Sequence, residues 1–205
     1  MVYIEEIGMR DYLKHNIKVT DRVVSNQKST SLDKMKHLRY NNIVNIIDKY
    51  ADKKLPLLDI GARKGELLDM FNDAGFNNLS AIEIWPEGKK IMQNKGYAIL
   101  NGDAEHFLTS SKFGTVIMSH VLEHCFYPDK VISNVYDSLI LNGILYIEVP
   151  IQKEGSAPIS AGHYSFFPKI DDIIFLFDNK WSVIEKGILR KKNIFVLMEK
   201  VRHEE

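Results

Sequence analysis

From about residue 30 onward, the apolar residues of the chain alternate between two patterns. Short continuous apolar runs bounded by glycine or polar residues are typical of buried strands, whereas apolar residues three or four positions apart are typical of helices. The runs predict strands at residues 55–60, 79–84, 97–100, 114–119, 143–149, 181–189 and 193–201. The helical spacing predicts helices at residues 32–50, with Ser31 as the N-cap, and at residues 65–74, 86–94, 130–141 and 170–177.

This alternation of strands and helices predicts an α/β fold, with a mostly parallel seven-stranded sheet and helices on both of its faces. Only residues 190–192 join the last two strands, so we expect an antiparallel hairpin at the C-terminal end of the sheet. We predict a helical cap segment in residues 1–50 and one ligand-binding domain in residues 51–205.

The composition narrows the class of protein. A chain of 205 residues suffices for one well-buried core but not for two domains with linkers. Lys plus Arg and Asp plus Glu each number 27, so no overall charge attracts nucleic acid or an anionic membrane. The single cysteine, Cys125, excludes an intrachain disulfide and a cysteine zinc cluster. No apolar segment resembles a signal peptide or a membrane span, so we expect a cytoplasmic protein, either monomeric or homodimeric.

Polar and glycine residues follow the first three predicted strands. In sheets of this kind a ligand binds beyond the carboxyl ends of the strands. Asp59 lies at the end of the first strand, and Gly61 and Gly65 follow it and permit a tight turn and the close approach of a ligand. Glu83 lies at the end of the second strand, where a carboxylate can accept both hydroxyls of a ribose. Asp103 follows the third strand, where it can meet an adenine amino group.

Five segments in a fixed order and spacing carry a family resemblance. They are LLDIGARKG (57–65), AIEI (81–84), GDAE (102–105), HVLEH (120–124) and LNGILYIEVP (141–150). Over residues 40–200 the chain resembles the class I S-adenosylmethionine-dependent methyltransferases, especially those with an HVLEH segment after the fourth strand. The resemblance implies a Rossmann-like fold, and an S-adenosylmethionine-binding methyltransferase domain in residues 51–205.

The first loop does not fit the rival nucleotide-binding motifs. A P-loop needs lysine directly after its last glycine, where this chain has Glu66. A nicotinamide fingerprint needs a glycine where Arg63 stands.

The resemblance implies a role for each residue of the cofactor site. Gly61 and Gly65 would line the methionine part of the cofactor, Glu83 would bind the ribose, and Asp103 with its neighbour would bind the adenine. Arg63 departs from the family, which usually has a second glycine there, so its side chain must point away from the cofactor or reach the cofactor's carboxylate. The complete set of cofactor-binding candidates is Asp59, Gly61, Ala62, Arg63, Gly65, Glu83, Ile84, Asp103, Ala104 and Ser119.

Three of the seven histidines, His120, His124 and His163, lie on segments that leave the ligand edge of the sheet. If residues 120–124 form a helical turn, His120, Glu123 and His124 share one face. With His163 as a fourth ligand, this set suits a divalent cation. The arrangement resembles the metal-dependent methyltransferases of small-RNA 3′ ends and the ubiquinone-pathway O-methyltransferases, in which a Glu-x-x-Glu-His segment holds a metal.

Alternatives stay open for these residues. A Mg²⁺ or Mn²⁺ ion held by His120, Glu123, His124 and His163 would lower the pKa of the acceptor oxygen. In the metal-free alternative, Glu123 and His124 bond to the backbone or the cofactor, and His120 or His163 is the general base. In a third alternative these histidines are structural. The catalytic candidates are His120, His163 and Glu123.

Only residues 1–50 and 150–168 lie outside the predicted cofactor-binding core, so they must shape the acceptor pocket. Because so few residues are available, we expect a small-molecule acceptor. We predict O-methylation of a sugar, a nucleotide-linked glycan precursor or a phenol. Tyr164, Phe166 and Phe167 either close an aromatic lid or anchor the following helix in the core. Two other functions stay open: a cofactor-binding protein with impaired catalysis, and an RNA-terminus methyltransferase, against which the zero net charge counts.

Overall fold

The computed structural model describes residues 14, 17, 18, 30–152 and 162–202. The strands are β1 Leu57–Ile60, β2 Leu79–Ile82, β3 Ala98–Leu100, β4 Phe113–Ser119, β5 Leu139–Pro150, β6 Trp181–Leu189 and β7 Asn193–Lys200. The helices are α1 Thr30–Ile47, α2 Glu66–Asp73, α3 Pro86–Asn94, α4 Pro128–Ser138 and α5 Ile170–Ile174, with a single 3-10 turn at Leu122–His124.

All seven strands form one sheet in the order β3-β2-β1-β4-β5-β7-β6. Strands β1 to β5 pair in parallel, whereas β7 runs antiparallel between β5 and β6. The strand order reverses between β1 and β4, which places the residues that follow these two strands at the switch point of the sheet. The predicted Rossmann-like α/β fold with a C-terminal antiparallel pair is confirmed.

Several predicted boundaries are wrong. Residues 139–141 were expected in a helix, but α4 ends at Ser138 and Leu139 already pairs with Phe113 of β4. The pairing resumes only at Thr115 and Ile144, so an irregular bulge in β5 absorbs the intervening residues. Helix α1 begins at Thr30, which places the expected N-cap residue inside the helix, and α5 stops at Ile174, before residues 175–177.

Two apolar cores, one on each face of the sheet, hold the helices in place. On the first face the buried residues of the helices include Ile43, Ile46 and Ile47 of α1, Leu67, Leu68 and Phe71 of α2, and Met92 of α3. On the second face they include Val131, Ile132 and Val135 of α4 and Ile173 of α5. Alternate residues of a strand point to opposite faces, so consecutive residues such as Leu57 and Leu58 belong to different cores.

Helix α1 packs on the sheet through these buried isoleucines. The division of the chain at residue 50 stays a prediction, although the helix that precedes it contributes to the core. Among the described residues, no helix is both long and apolar enough to cross a membrane.

The packing of α1 predicts unequal effects of two substitutions on this helix. Ile43 is fully buried, so Ile43→Ala should lower the free energy of unfolding by about 2–5 kcal/mol. Leu38 is 55% exposed, so Leu38→Ala should change this free energy by less than about 0.5 kcal/mol. Urea unfolding of the two variants measures both quantities, and equal effects would show that α1 does not pack as described.

Candidate functional site

The loop after β1 needs its two glycines for backbone conformation and for packing. Gly61 and Gly65 have φ angles of 79° and 74°, in the left-handed region. A Cβ atom on Gly61 would lie 2.5 Å from Cγ2 of Val121, in the loop after β4. A Cβ atom on Gly65 would lie 2.9 Å from Cγ of Met92. The glycines therefore let this loop pack tightly against α3 and against the loop that follows β4.

Arg63 also adopts a left-handed conformation, with φ 53°, where the family usually has glycine. Its backbone N–H donates a hydrogen bond to Oε2 of Glu83, at 2.6 Å. Its carbonyl oxygen lies so close to Gly88 of α3 that a Cβ atom at position 88 would overlap it. Gly88 was not predicted as part of the site, and the only signal for it was a glycine inside a helix.

Glu83 is only 4% exposed, and both of its carboxylate oxygens accept backbone hydrogen bonds. The second bond comes from Trp85 N–H to Oε1, at 2.7 Å. Burial raises the pKa of Glu83, and these bonds partly oppose the rise. Burial and the charge of Glu83 raise the pKa of the neighbouring Asp59 well above its usual range. Each oxygen of Glu83 keeps a second acceptor position, so the carboxylate can still receive ligand hydroxyls.

The loop after β3 is held to the start of α4 by a buried glutamate. Oε1 of Glu105 accepts the backbone N–H groups of Phe126 and Tyr127, at 2.5 and 3.1 Å. In the same loop, Oδ1 of Asp103 lies 2.9 Å from Nδ1 of His106, and Ala104 is buried in the core. Asp103 therefore already has one side-chain partner at the position expected to meet adenine.

The loop after β4 differs from the predicted helical turn. The 3-10 turn begins at Leu122, and His120 precedes it with φ 59°, so the expected shared helical face is wrong for His120. Its imidazole nevertheless lies between two buried carboxylates. Nδ1 is 3.2 Å from Oε1 of Glu123, and Nε2 is 3.8 Å from Oε1 of Glu148.

Glu148 of β5 was not predicted as a site residue. It is fully buried and accepts hydrogen bonds from Oγ of Ser119, at 3.3 Å, and from Nδ2 of Asn193. A single acidic residue in the apolar strand run that contains it was the available signal, since a buried charge needs partners.

His120 and the carboxylates of Glu123 and Glu148 shift one another's pKa values. Burial opposes protonation of His120, but the nearby carboxylates of Glu123 and Glu148 outweigh it and raise the pKa of His120. Burial acts against ionisation of both glutamates, yet His120 lowers the pKa of each. Nε2 of His120 also lies 3.2 Å from Nδ2 of Asn193, so both ring nitrogens of His120 already have partners.

Glu123, His124 and His163 form a second group beside the first. Each brings one oxygen or ring nitrogen within 4.8 Å of the others, a spacing that a cation could bridge. Both oxygens of Glu123 are buried, and neither meets hydrogen-bond geometry with a described residue. Among the described residues His120 does not join this group, so the structure brings together three of the four predicted metal ligands.

The hydrogen bonds of His163 do not fit a metal ligand. Nε2 of Gln152 lies 2.7 Å from Nδ1 of His163, and Oε1 of Gln152 accepts the backbone N–H of Phe167, at 3.4 Å. The Gln152 amide therefore donates to Nδ1, and neutral His163 carries its proton on Nε2. His163 therefore has no lone pair for a cation, and the remaining residues of the group are fewer than the three protein ligands typical of catalytic zinc. The donor set does not fit a zinc site.

Helix α1 contributes an arginine that was not predicted. Nε of Arg39 is buried and has no hydrogen-bond partner among the described residues. The Arg39 charge partly offsets the raised pKa of Asp59 and helps to lower the pKa of Glu148. The cationic side chain thus lies near the carboxyl ends of β1 and β5, at the same edge as the histidines.

Exposed aromatic rings flank the histidine group. Phe126 is 46% exposed, and its ring centroid lies 4.2 Å from that of Tyr164. The backbone N–H of Tyr164 donates to the carbonyl of Glu123, at 2.8 Å, which fixes this pair beside the loop after β4. Phe166 is 40% exposed, whereas Phe167 is buried in the core, so the two expected lid residues occupy different environments.

Comparison with known proteins places these features in a family. A family model described as a methyltransferase domain matches residues 35–180. No curated protein sequence matches the chain.

Three crystal structures of N-methyltransferases are similar in fold. NodS from Bradyrhizobium japonicum WM9, in complex with S-adenosylhomocysteine, is 15% identical, with a TM-score of 0.68 and coverage of 89% of this chain and 97% of NodS. The 1,6-didemethyltoxoflavin-N1-methyltransferase of Burkholderia thailandensis is 14% identical, with a TM-score of 0.68 and coverage of 91% of this chain and 88% of that enzyme. The glycopeptide N-methyltransferase MtfA is 13% identical, with a TM-score of 0.59 and coverage of 78% and 89%.

The charge of His120 predicts a pH-dependent contribution to stability. Because its pKa is raised in the folded protein, this contribution is fully present below about pH 6.5, the unfolded value, and is lost as the pH rises through the folded value. His120→Asn removes the charge, while asparagine tolerates the positive φ. The variant should lose about 3–5 kcal/mol of unfolding free energy at pH 6 and less at pH 9.

Chemical denaturation of both proteins across this pH range measures the difference. An equal loss at pH 6 and pH 9 would show that the neighbouring carboxylates do not raise the pKa of His120.

Proposed function

The chain belongs to the methyltransferase domain family, and we propose that this S-adenosylmethionine-dependent methyltransferase transfers the methyl group to an oxygen of a small-molecule acceptor without a metal. The carrying observation is the juxtaposition, at one edge of the sheet, of the glycine loop with Glu83 and the histidine group of Glu123, His124 and His163. The first set suits the cofactor and the second suits removal of a proton from the acceptor.

The arrangement at the strand ends supports the assignment of the cofactor. The methionine part would lie over the loop of Asp59, Gly61 and Arg63, and the ribose hydroxyls would donate to Glu83. The loop containing Asp103 would contact the adenine. Because Glu83 also binds the backbone of Arg63, ribose binding and loop conformation depend on the same carboxylate.

The rings beside the histidines support a planar acceptor such as a phenol. Phe126 and Tyr164 offer an aromatic surface next to Glu123, and planar rings stack favourably on such surfaces. A phenol has a pKa near 10, within reach of a histidine base, whereas a sugar hydroxyl is a much weaker acid. The similar structures named above include N-methyltransferases, so an amine acceptor is the alternative that experiment must separate.

The other two functions have weaker support. Impaired catalysis was suggested by Arg63, yet the backbone of Arg63 is held by Glu83 in an ordered loop. An RNA-terminus acceptor would need a basic surface, and the net charge of the chain is zero.

Cofactor binding is tested by calorimetric titration of the protein with S-adenosylhomocysteine. We expect one site of micromolar or tighter affinity. Glu83→Gln should weaken binding about tenfold or more, because it removes a charge-assisted bond to the ribose and presents an NH₂ group to a backbone N–H. The control Glu87→Gln, on the exposed first turn of α3, should bind as the wild type does. Unchanged affinity in Glu83→Gln would contradict the ribose assignment.

The acceptor class is tested with a panel of phenols, sugars and amines and methyl-labelled S-adenosylmethionine, in the presence and absence of EDTA. We expect methylated phenols, with the same rate in EDTA, because the one lone pair of neutral His163 is already used by Gln152. Labelled amines alone would refute transfer to oxygen. A rate that EDTA abolishes and Mg²⁺ or Mn²⁺ restores would refute the metal-free mechanism.

A further inference from the structure

We propose that His124 is the proton acceptor of the methyl transfer, and that the Gly162 carbonyl and the Gln152 amide set opposite proton positions on His124 and His163. This inference rests on the proposed function, since it assigns the base of that reaction. The hydrogen-bond partners of the three histidines distinguish His124 from His120 and His163.

The backbone carbonyl of Gly162 determines the proton position on His124. Nδ1 of His124 lies 2.8 Å from the Gly162 oxygen. A carbonyl oxygen can only accept a hydrogen bond, so Nδ1 must carry a proton. In neutral His124 the lone pair is therefore on Nε2, which makes Nε2 the basic atom of this ring.

A side-chain amide determines the opposite arrangement on His163. The backbone N–H of Phe167 can only donate, so the Gln152 atom that faces it is the oxygen, and the NH₂ group faces Nδ1 of His163. Neutral His163 then carries its proton on Nε2, and its one lone pair already accepts the Gln152 bond. Burial and the nearby histidines lower the pKa of His163, which keeps it neutral near pH 7. His163 thus offers the group a donor and His124 offers it an acceptor.

His120 is unsuited to the role of base for a different reason. Both of its ring nitrogens already have partners, since Nδ1 lies 3.2 Å from Oε1 of Glu123 and Nε2 lies 3.2 Å from Nδ2 of Asn193. Glu123 remains an anion beside His124, where its charge would stabilise the imidazolium that forms when His124 takes up a proton. The arrangement resembles a base with an adjacent carboxylate that stabilises its protonated state.

The transfer step balances with these groups. As the acceptor oxygen forms a bond to the methyl carbon, its proton moves to Nε2 of His124. The bond between the methyl carbon and sulfur breaks, and its electron pair remains on sulfur as S-adenosylhomocysteine. The positive charge of the sulfonium is thus replaced by that of the His124 imidazolium, which then loses its proton to solvent.

The proton positions can be measured without an acceptor. We would label the full chain with ¹⁵N-histidine, saturate it with S-adenosylhomocysteine and record long-range ¹H–¹⁵N correlations, with His124→Asn and His163→Gln to assign the signals. We expect the proton of neutral His124 on Nδ1 and that of neutral His163 on Nε2. A proton on Nε2 of His124, or on Nδ1 of His163, would overturn the proposal.

Gln152→Glu provides a matched test of the amide. A carboxylate accepts hydrogen bonds from both the Phe167 N–H and a protonated Nδ1, so this variant should move the His163 proton to Nδ1 and leave His124 unchanged. An unchanged His163 spectrum would show that Gln152 does not set its proton position.

Two substitutions test the catalytic role with the best phenol of the acceptor panel. In His124→Asn the side-chain amide can still donate to the Gly162 carbonyl, but no basic nitrogen remains, so kcat should fall about 10²- to 10⁴-fold with unchanged affinity for S-adenosylhomocysteine. In His163→Gln an N–H donor remains near the position of Nε2, and kcat should fall less than about tenfold. The reverse order would overturn the proposal.

The cofactor titration distinguishes a wrong assignment of the base from a wrong proposed function. If the wild type does not bind S-adenosylhomocysteine, the proposed function is wrong. If it binds the cofactor and methylates a phenol while His124→Asn retains full activity, only the assignment of the base is wrong.

Discussion

A carboxylate buried in a protein interior is unfavourable unless hydrogen bonds or a positive charge compensate for its lost hydration, and this site contains five buried carboxyl groups. Asp59, Glu83, Glu105, Glu123 and Glu148 are all less than 5% exposed. Glu83 and Glu105 accept backbone N–H groups, whereas Glu148 accepts side-chain donors and Glu123 lies beside His120. Several of these partners lie in another segment, so Glu83 joins its loop to the loop after β1, Glu105 joins the loop after β3 to the start of α4, and Glu148 joins β5 to β4 and β7. The geometry of the site follows from the need to satisfy these charges.

The same constraint gives chemically identical histidines different properties. His120 lies between the carboxylates of Glu123 and Glu148, which raise its pKa, and its Nε2 also contacts Nδ2 of Asn193. His163 faces an amide that donates to it, whereas His124 faces a carbonyl that accepts from it. Both ring nitrogens of His120 thus have partners, whereas His163 presents a donor and His124 an acceptor, although all three histidines lie at the same edge.

The sequence predicted the sheet, its helices and most of the strand ends, because periodic apolar patterns report burial directly. The start of β5 was missed because residues 139–141 are all apolar. Such a run is equally compatible with the end of a helix and with the start of a buried strand. Glu148 could have been suspected as a lone acid in an apolar strand. Gln152, Asn193 and Arg39 could not have been found, since their importance arises from contacts between distant segments. The proton positions of the histidines are likewise determined by partners far away in the chain.

Arg63 shows how a departure from a family pattern can be compatible with the same loop. A residue with a side chain in the left-handed region costs roughly 1–2 kcal/mol relative to glycine. The N–H of Arg63 donates to the carboxylate of Glu83, and a hydrogen bond to a charged group contributes about 1.5–3 kcal/mol. Any residue except proline could donate this bond, so it fixes the backbone whatever side chain is present. The conformation is therefore imposed by Glu83 and by the space that Gly88 leaves, and glycine at position 63 is favourable but not required.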